Sequence, residues 1–376
     1  MLTAARATVP LFDYLAEARR LAIDEIKRLV PAGHECGAVL YDLMLDYPLR
    51  DAKGLRPALC IATSRALGGG LEATLPSAAL LELYHNAFLI HDDVEDGSEL
   101  RRDRPTLHHE HGVPVAINVG DGMLALALEP LLGNLRTVGL GKALRIMQTI
   151  ARMARETAEG QAMELAWIRD GRWDVSDDDY YRMVMKKTGW YSFIAPITIG
   201  ATIAGGSDAH LATLVEMARE LAVAFQIRDD VLNLTASYGK ESCGDLWEGK
   251  RTLIVLHTMR SLPAASRAAA QAILARPRPT PIAPSRRALL ARLELEGEIS
   301  ARARALLEGS DAAKTADDVA QLSQWIDEHA SIDYASQIAT EHALRARTAL
   351  LRAELRPSAH HDVLQALVDF TIARET

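Results

Sequence analysis

Alanine- and leucine-rich stretches run along most of this chain, with few of the apolar–polar alternations that indicate strands. The pattern predicts helices over 9–30, 52–68, 76–96, 115–134, 140–168, 177–203, 209–236 and 250–260, and three or four amphipathic helices between 286 and 373. We therefore predict an all-α protein that folds as a single large helical bundle.

The helical pattern is interrupted between 263 and 290, where a run of prolines ends at Pro284. Such a run cannot form a continuous helix, because each proline lacks the N–H that the helix needs. We predict an inserted loop over 263–290. It would separate a helical core over 1–262, which holds the acidic motifs described below, from C-terminal helices over 291–376 that pack on the same bundle.

The uncharged stretch 189–207 is long enough to cross a membrane by count alone. Pro196 and four glycines weaken that interpretation, so we predict a buried helix that lines a cavity and no membrane span.

Residues 1–20 lack an apolar core of the length that a signal peptide needs. The three cysteines show no paired spacing, which favours a reducing, cytoplasmic location.

Composition is compatible with a large core and gives no sign of a nucleic-acid partner. Of 376 residues, 49% are apolar, and 42 basic residues stand against 50 acidic ones. Because the chain is acidic overall, local groups of Lys and Arg are not the result of a generally basic composition.

Two acidic clusters on opposite halves of the chain each end an apolar helical segment. The first reads FLIHDDVED and ends at Asp96, and the second reads FQIRDDVLN and ends at Asn233. Asp92 and Asp96 are four residues apart, as are Asp229 and Asn233, so a helix places each pair on one face. Charge at the end of a buried segment is costly unless paired, and magnesium binds one or two carboxylates together with substrate phosphates. Two such faces across a cavity would form a clamp for a magnesium–diphosphate complex.

Basic residues follow each acidic cluster and also lie upstream and between them. They are Lys53 and Arg56 upstream, Arg101 and Arg102 after the first cluster, Lys187 between the clusters, and Lys240 and Lys250 after the second. Arginine offers phosphate a bidentate fork and lysine a point charge. We predict that these residues form two anion pockets around a metal site.

The order of these groups resembles that of the trans-isoprenyl diphosphate synthases, the polyprenyl synthetase family. The matching set is Lys53-x-x-Arg56, His85, Asp92-Asp-x-x-Asp96, Arg101-Arg102, Lys187-Thr188, Gln226-x-x-Asp229-Asp230, Lys240 and Asp245-Leu-x-Glu-Gly-Lys250. The phrase that begins HNAFLIHDD is most similar to the geranylgeranyl diphosphate synthase branch. The resemblance spans roughly residues 50–260 and implies the isoprenoid synthase fold with a central cavity, a magnesium-dependent prenyltransferase and a homodimer.

The resemblance also implies a role for each matching residue. Asp92, Asp96 and Asp229 would hold magnesium, with three ions per active site when diphosphate is bound. Catalysis would depend on Asp92, Asp93, Asp96, Lys187, Asp229 and Asp230. The allylic diphosphate would contact Arg101, Lys187, Thr188, Gln226, Lys240 and Lys250. Isopentenyl diphosphate would contact Lys53, Arg56, His85 and Arg102.

This division of residues suits the expected reaction. Breaking the allylic C–O bond leaves a carbocation and a diphosphate anion, so cations around the leaving group stabilise the transition state. The carbocation needs a dry apolar cavity, where the double bond of isopentenyl diphosphate attacks it. Loss of a proton to the departing diphosphate ends the cycle.

Three positions depart from the family pattern. Asn233 replaces the last aspartate of the second cluster, and Gly54 stands where many members carry arginine, which would remove one phosphate contact. Phe88 lies one helical turn before Asp92, where a smaller side chain is typical, and would shorten the pocket for the product tail.

The length of the product's hydrocarbon tail would be set by the residues that precede the first acidic cluster. Tyr84, one turn before Phe88, would form the pocket floor, and Ala87 would leave room beside the ring. We predict geranylgeranyl or farnesyl diphosphate as the product.

Two alternative functions compete with that of a synthase. A class I terpene cyclase shares the fold and the first acidic motif, but it does not need the basic residues that would bind isopentenyl diphosphate. A non-catalytic regulatory subunit of a prenyl synthase would tend to lose metal-binding acids, whereas both clusters keep their paired aspartates here.

Overall fold

The computed structural model describes residues 10–235, 243–278, 292–293 and 313–373. In the first half the helices are α1 (Leu11–Leu29), α2 (Tyr41–Met44), α3 (Asp46–Leu49), α4 (Leu55–Ala66), α5 (Leu71–Asp96), α6 (Leu107–His111), α7 (Val113–Leu126), α8 (Leu128–Thr137) and α9 (Leu140–Arg169). The strands β1 (Leu100–Arg101) and β2 (Arg104–Pro105) form a short antiparallel hairpin after α5. A 3₁₀ turn covers Gly37–Val39.

The second half continues the helical pattern. Its elements are α10 (Asp177–Val184), a π-helical segment (Met185–Ile194), α11 (Ala195–Ala204), α12 (Asp208–Thr235), α13 (Gly244–Glu248), α14 (Leu253–Ser261), α15 (Ala264–Leu274), α16 (Ala316–Glu328), α17 (Ser331–Arg352) and α18 (Ala359–Ala373). The prediction of an all-α fold is confirmed.

Two predicted helices are divided in the structure. The helix predicted over 115–134 breaks at Ala127, because Pro130 has no N–H to donate to the carbonyl of Leu126. The helix predicted over 177–203 passes through the π-helical segment before α11, whose first turn contains Pro196. Since Pro196 cannot donate to Ser192, the hydrogen-bonding pattern changes at that point.

The inserted loop predicted over 263–290 is wrong for its first part. Ala264–Leu274 forms helix α15, because this stretch is alanine-rich and contains no proline. Proline becomes frequent only from Pro277, and 279–290 lie outside the described residues.

The core has two centres that α12 connects. Leu214, Met217 and Leu221 of α12 belong to a core built mainly from α1, α4, α5 and α11. Further along the same helix, Ile227 and Val231 pack into a second core with α10, α14 and α16. α17 packs along α12, and α18 packs on α4, so the C-terminal helices contribute to the same bundle. The second acidic cluster is therefore held by a helix that is buried along most of its length.

The uncharged stretch 189–207 is buried in the bundle, as predicted, with Ile197 and Ile199 fully enclosed. In the described part of the chain, Val113–Thr137 is the single helical stretch whose length and composition would allow it to cross a membrane. Of the 18 consecutive residues with the highest mean hydropathy in this stretch, 44% are buried. Because core helices of other proteins pass the same test, this is weak evidence for a span.

Candidate active site

The acids of the first cluster lie at the C-terminal end of α5, where Gly97 ends the helix in a left-handed conformation. The two outer aspartates each meet a cation from a distant part of the chain. Asp92 Oδ1 lies 3.2 Å from Lys187 Nζ, and Asp96 Oδ2 lies 2.8 Å from Lys250 Nζ. The fold thus brings together residues that are more than 90 positions apart in the sequence.

A small cavity of about 70 Å³ opens beside these pairs. Its lining comprises Asp92, Asp96, Ser98, Glu99, Leu100, Arg101, Asn233, Gly244, Asp245, Glu248, Lys250 and Arg278. Carboxylates outnumber cations in this lining, so its charge is negative as it stands. An added cation would lower the electrostatic energy of the group.

Burial and neighbouring charges shift the pKa values of Asp92 and Asp96 in opposite directions. Burial alone would raise the pKa of Asp92, but Lys187, Lys250 and Arg101 outweigh it and hold that pKa below its usual value. Burial raises the pKa of Asp96, and the repulsion from Asp92 adds to the rise despite the contact with Lys250. The pair therefore lacks enough positive charge to ionise both carboxylates freely.

Lys187 reaches the site from the π-helical segment, which runs against α9. Its ammonium also donates to Glu164, a nearly buried acid of α9. The close approach depends on Gly160, because a Cβ at that position would lie 2.2 Å from the backbone nitrogen of Lys187. π-Helical segments are rare and are frequently found at functional sites, and this one carries Lys187.

The inner aspartate of each cluster points into the protein and is held by a tyrosine. Tyr47 donates to Asp93 Oδ2 at 2.6 Å, and Tyr180 donates to Asp230 Oδ2 at 2.6 Å. Asp93 is fully buried and also accepts from Arg101. The structure does not bring these two predicted catalytic residues to the cavity lining, because their oxygens are used in buried hydrogen bonds.

Thr188 and Gln226, both predicted to bind diphosphate, join this network. Thr188 donates to Gln226 Oε1 at 2.8 Å, and Gln226 Nε2 donates to Asp230 Oδ1 at 2.8 Å. Burial and the nearby Asp245 raise the pKa of Asp230, although both hydrogen bonds favour its charged form. The network connects the π-helical segment to α12 through side chains.

A second charged group lies two turns earlier on α5, around His85. Burial and the nearby Arg56 and Arg102 push the pKa of His85 well below its usual value, so the ring is neutral. Burial, together with the repulsion from Arg101, Arg56 and Arg19, lowers the pKa of Arg102 to about 10 against the opposing effect of Glu82. Neighbouring cations lower the pKa values of both His85 and Arg102, so an anion bound between them would be stabilised.

Lys53, also predicted for this pocket, has its ammonium 5.1 Å from the ring centre of Phe370 on α18. The adjacent Gly54 has φ of +68°, and a Cβ there would lie 2.5 Å from Arg19 Cβ. A side chain at position 54 would therefore be strained, which explains this departure from the family pattern.

Aromatic rings form a wall between the two charged groups. The Phe88 ring lies 5.8 Å from that of Tyr84 and 5.7 Å from that of Tyr191, edge to face in both cases. Tyr191 also stacks on His85 and carries the guanidinium of Arg56 at 4.6 Å. Ala87 is fully buried beside this wall.

The remaining predicted residues belong to the second half. Asp229 is partly buried on α12. Asn233, one turn further along the same helix, lines the cavity. Asn233 Oδ1 accepts from the backbone nitrogen of Asp245 at 3.1 Å, so the amide anchors the following loop. Lys240 lies outside the described residues. In the ranges that the structure describes, no three His, Cys, Asp or Glu side chains converge as a metal cage made of protein alone.

Sequence reasoning missed several residues of the site. Tyr47, Tyr180, Glu164 and Arg278 touch its acids or cations, but none belongs to an acidic or basic motif.

Comparison with known proteins gives concordant results. The model of the Polyprenyl synthetase family matches residues 38–284. A geranylgeranyl diphosphate synthase of Methanosarcina mazei is 37% identical over 208 residues, which cover 54% of this chain and 63% of that protein. The chain thus spans less than two thirds of that relative's length.

Solved structures share the whole architecture. Geranylgeranyl pyrophosphate synthetase from Pyrococcus horikoshii superposes with a TM-score of 0.76 at 29% identity, covering 97% of this chain and 98% of the other. Polyprenyl synthase from Caulobacter crescentus, complexed with calcium and isoprenyl diphosphate, superposes with a TM-score of 0.73 at 25% identity. That match covers 99% of this chain and 100% of the other.

Proposed function

This chain belongs to the polyprenyl synthetase family, and from that membership we propose that it is a short-chain trans-prenyltransferase. It condenses isopentenyl diphosphate with an allylic diphosphate and yields geranylgeranyl or farnesyl diphosphate. One observation carries the proposal: α5 bears two separate charged sites, an acid-rich one around Asp92 and a basic one around His85, seven residues apart.

The acid-rich site fits an allylic diphosphate with magnesium. Asp92, Asp96 and Asp229 would hold the ions, three when diphosphate is bound, and the ions would neutralise the leaving group. The fit rests on the surplus of carboxylates in the cavity and on the raised pKa of Asp96. A lining without a cage of three protein ligands suits magnesium, which takes the rest of its ligands from phosphate and water.

The basic pocket fits isopentenyl diphosphate, which binds without a metal. Arg56, Arg102 and the neutral His85 offer donors in a buried space whose cations repel each other. A diphosphate would relieve that repulsion. A terpene cyclase has no second diphosphate to place there, so this pocket favours the synthase.

Within the site we assign the residues different tasks. Lys187, Lys250 and Arg101 bind and orient the allylic diphosphate. Each of these cations lies within 4 Å of Asp92 or Asp96, so it is placed beside the proposed metal ligands. The buried Asp93 and Asp230 act as positioning residues, because their tyrosine hydrogen bonds fix the helix turns that carry Asp92 and Asp229. The aromatic wall excludes water from the carbocation.

The decisive experiment is a product assay on the purified chain. It contains magnesium, labelled isopentenyl diphosphate and, in turn, five-, ten- and fifteen-carbon allylic diphosphates. We expect products of fifteen or twenty carbons that disappear when magnesium is chelated. Release of a cyclised hydrocarbon, or no incorporation of label with any allylic substrate, would contradict the proposal.

Phe88→Ala is expected to lengthen the product by at least one five-carbon unit. The Phe88 ring lies one turn below Asp92 and contacts Tyr84 and Tyr191, so removing it opens the wall on the path of the tail. The measurement is the chain-length distribution of labelled products. Phe88→Leu keeps most of the volume and should retain the wild-type distribution, whereas unchanged products from Phe88→Ala would exclude the ring as the length determinant.

A homodimer is supported by an exposed apolar face on α7, α8 and the start of α9. Leu128, Leu132 and Leu135 follow one helix face and are 51%, 56% and 40% exposed. Val113 and Ile117 on α7 and Leu140 and Leu144 on α9 are also exposed apolar side chains. Such a concentration of exposed apolar residues on consecutive helices favours burial against a second copy.

Leu132→Glu should convert the dimer to a monomer, raising the dissociation constant at least about 100-fold, because it buries an unpaired charge in the interface. Molar mass by light scattering over a concentration series measures this. Leu351→Glu provides the matched control, since Leu351 is 61% exposed on α17, away from this face. A wild-type mass equal to one chain would contradict the dimer.

A cytoplasmic location remains a prediction. It is supported by the sequence, whose three cysteines show no paired spacing. Fractionation of the source cells would test it, and recovery of the protein outside the cytoplasmic fraction would contradict it.

A further inference from the structure

Arg278 stands apart from every motif described above, yet its side chain lines the same cavity as Asp92, Asp96 and Lys250. It lies four residues after the end of α15, where the Pro-rich segment begins. Although it lies in an irregular segment, its side chain is only 14% exposed. A cation placed in this way faces the acid-rich site and not the solvent.

Glu248 shows how Arg278 relates to the known cations of the site. One of its carboxylate oxygens lies 2.6 Å from Lys250 Nζ, and the other lies 3.6 Å from Arg278 Nη1. The two cations therefore flank a single carboxylate. Lys250 Nζ also lies 2.8 Å from Asp96 Oδ2. Arg278 and Lys250 point at the same small volume from two different chain segments.

The backbone around Arg278 is anchored firmly to the loop that carries Lys250. The carbonyl of Pro277 accepts from the backbone nitrogen of Lys314 at 2.9 Å. The buried ammonium of Lys314 in turn donates to the carbonyl of Trp247 at 2.7 Å. A Cβ at Gly249 would lie 2.7 Å from the carbonyl oxygen of Leu274, so α15 and this loop are in direct backbone contact. The position of Arg278 is therefore fixed relative to Lys250.

Arg278 brings a positive charge to the cavity lining. Burial lowers its pKa, and the nearby Glu99 and Asp96 offset only part of that effect. Arginine stays protonated in proteins, so the guanidinium remains a cation whose fork matches two phosphate oxygens. A diphosphate bound in this cavity with its metal ions would accept hydrogen bonds from this fork.

We propose that Arg278 is an additional binding residue for the diphosphate of the allylic substrate, supplied by the segment that follows α15. This inference rests on the proposed function, because it assigns that substrate to the acid-rich site. It gives the α15 segment a task in substrate binding. Isopentenyl diphosphate, which would occupy the pocket around His85, is not a ligand of Arg278.

Arg278→Gln tests the inference by two independent readouts. Calorimetry with magnesium and inorganic diphosphate should show a dissociation constant raised about tenfold, the effect of one charge-assisted hydrogen bond. Steady-state kinetics should show the KM for the allylic diphosphate raised to a similar extent. The KM for isopentenyl diphosphate should be unchanged, and Arg278→Lys should recover part of the loss because it keeps the charge but not the fork.

Arg276→Gln is the matched control. Arg276 lies two residues away and pairs with Asp318 at 2.7 Å on the outside of the same segment, and it does not line the cavity. It should leave both diphosphate affinity and the allylic KM unchanged. Equal losses in both variants would mean that the segment acts only through folding, and this would overturn the inference.

The outcomes also separate this inference from the proposed function. If the wild-type chain forms prenyl products and Arg278→Gln keeps its affinity for inorganic diphosphate and its allylic KM, the role of Arg278 is refuted and the function stands. If the wild-type chain forms no product, the function fails. The calorimetric comparison then still decides whether Arg278 binds diphosphate.

Discussion

Replacing Asp92 by alanine should reduce kcat by about 10³-fold, a loss of about 4 kcal/mol in transition-state stabilisation. Asp92 is the acid of the first cluster that contacts both Lys187 and Arg101. Its removal takes away a proposed magnesium ligand and the group that holds Lys187 toward the cavity. The measurement is single-turnover and steady-state incorporation of labelled isopentenyl diphosphate, repeated over a range of magnesium concentrations.

The Asp92→Ala chain should remain folded, which separates a chemical effect from a structural one. Lys187 keeps its contact with Glu164, and Arg101 keeps its hydrogen bonds to Asp93, so neither cation is left without a partner. Glu95→Gln is the control, since Glu95 is an exposed acid in the same helical turn. Near-normal turnover of Asp92→Ala with an unchanged unfolding curve would remove Asp92 from the metal site.

Gly160→Ala should cost about 3 kcal/mol of unfolding free energy, because overpacking against a rigid neighbour is strongly destabilising. The added Cβ would lie 2.2 Å from the nitrogen and 2.6 Å from the Cα of Lys187. These are backbone atoms, so they cannot rotate away as the end of a flexible side chain would. Either α9 or the π-helical segment must shift, and both carry charged groups of the site. Urea unfolding and prenyl transfer by the folded fraction measure the two consequences.

A second glycine of α9 serves as the control for this change. Gly141 has no atom within 4 Å of an added Cβ. Gly141→Ala should therefore be neutral or stabilising by up to about 1 kcal/mol, the difference in helix propensity. Equal effects at both positions would show that the contact between α9 and Lys187 does not limit stability.

Local patterns were sufficient for the fold class and for the outer parts of the site. Asp92 and Asp96 were placed on one helix face by their spacing alone, and the structure has them on α5 beside one cavity. The division of one predicted helix was missed, although Pro130 was visible in the sequence, because a proline can bend a helix or end it. The helix over Ala264–Leu274 was missed because the prolines that follow it dominated the interpretation of the segment.

The inner aspartates illustrate what spacing cannot reveal. Asp93 and Asp230 belong to the same motifs as their neighbours, yet they are turned inward toward tyrosines that lie 46 and 50 residues away in the chain. A carboxylate next to a metal-binding residue has the same sequence signal whether it faces the cavity or the core. Only the packing of α3 and α10 against the two acidic helices distinguishes these cases.

By itself, the order of residues determined that this chain is helical, that it carries two acid-bearing helices and basic groups for phosphate, and that it resembles one enzyme family. These properties depend on helix periodicity and on groups that are close along the chain. The tertiary structure alone decided which carboxylates line the cavity, why position 54 is glycine, and that Arg278 joins Lys250 at Glu248. Such properties depend on burial and on charges brought together from distant segments, and no local pattern encodes those distances.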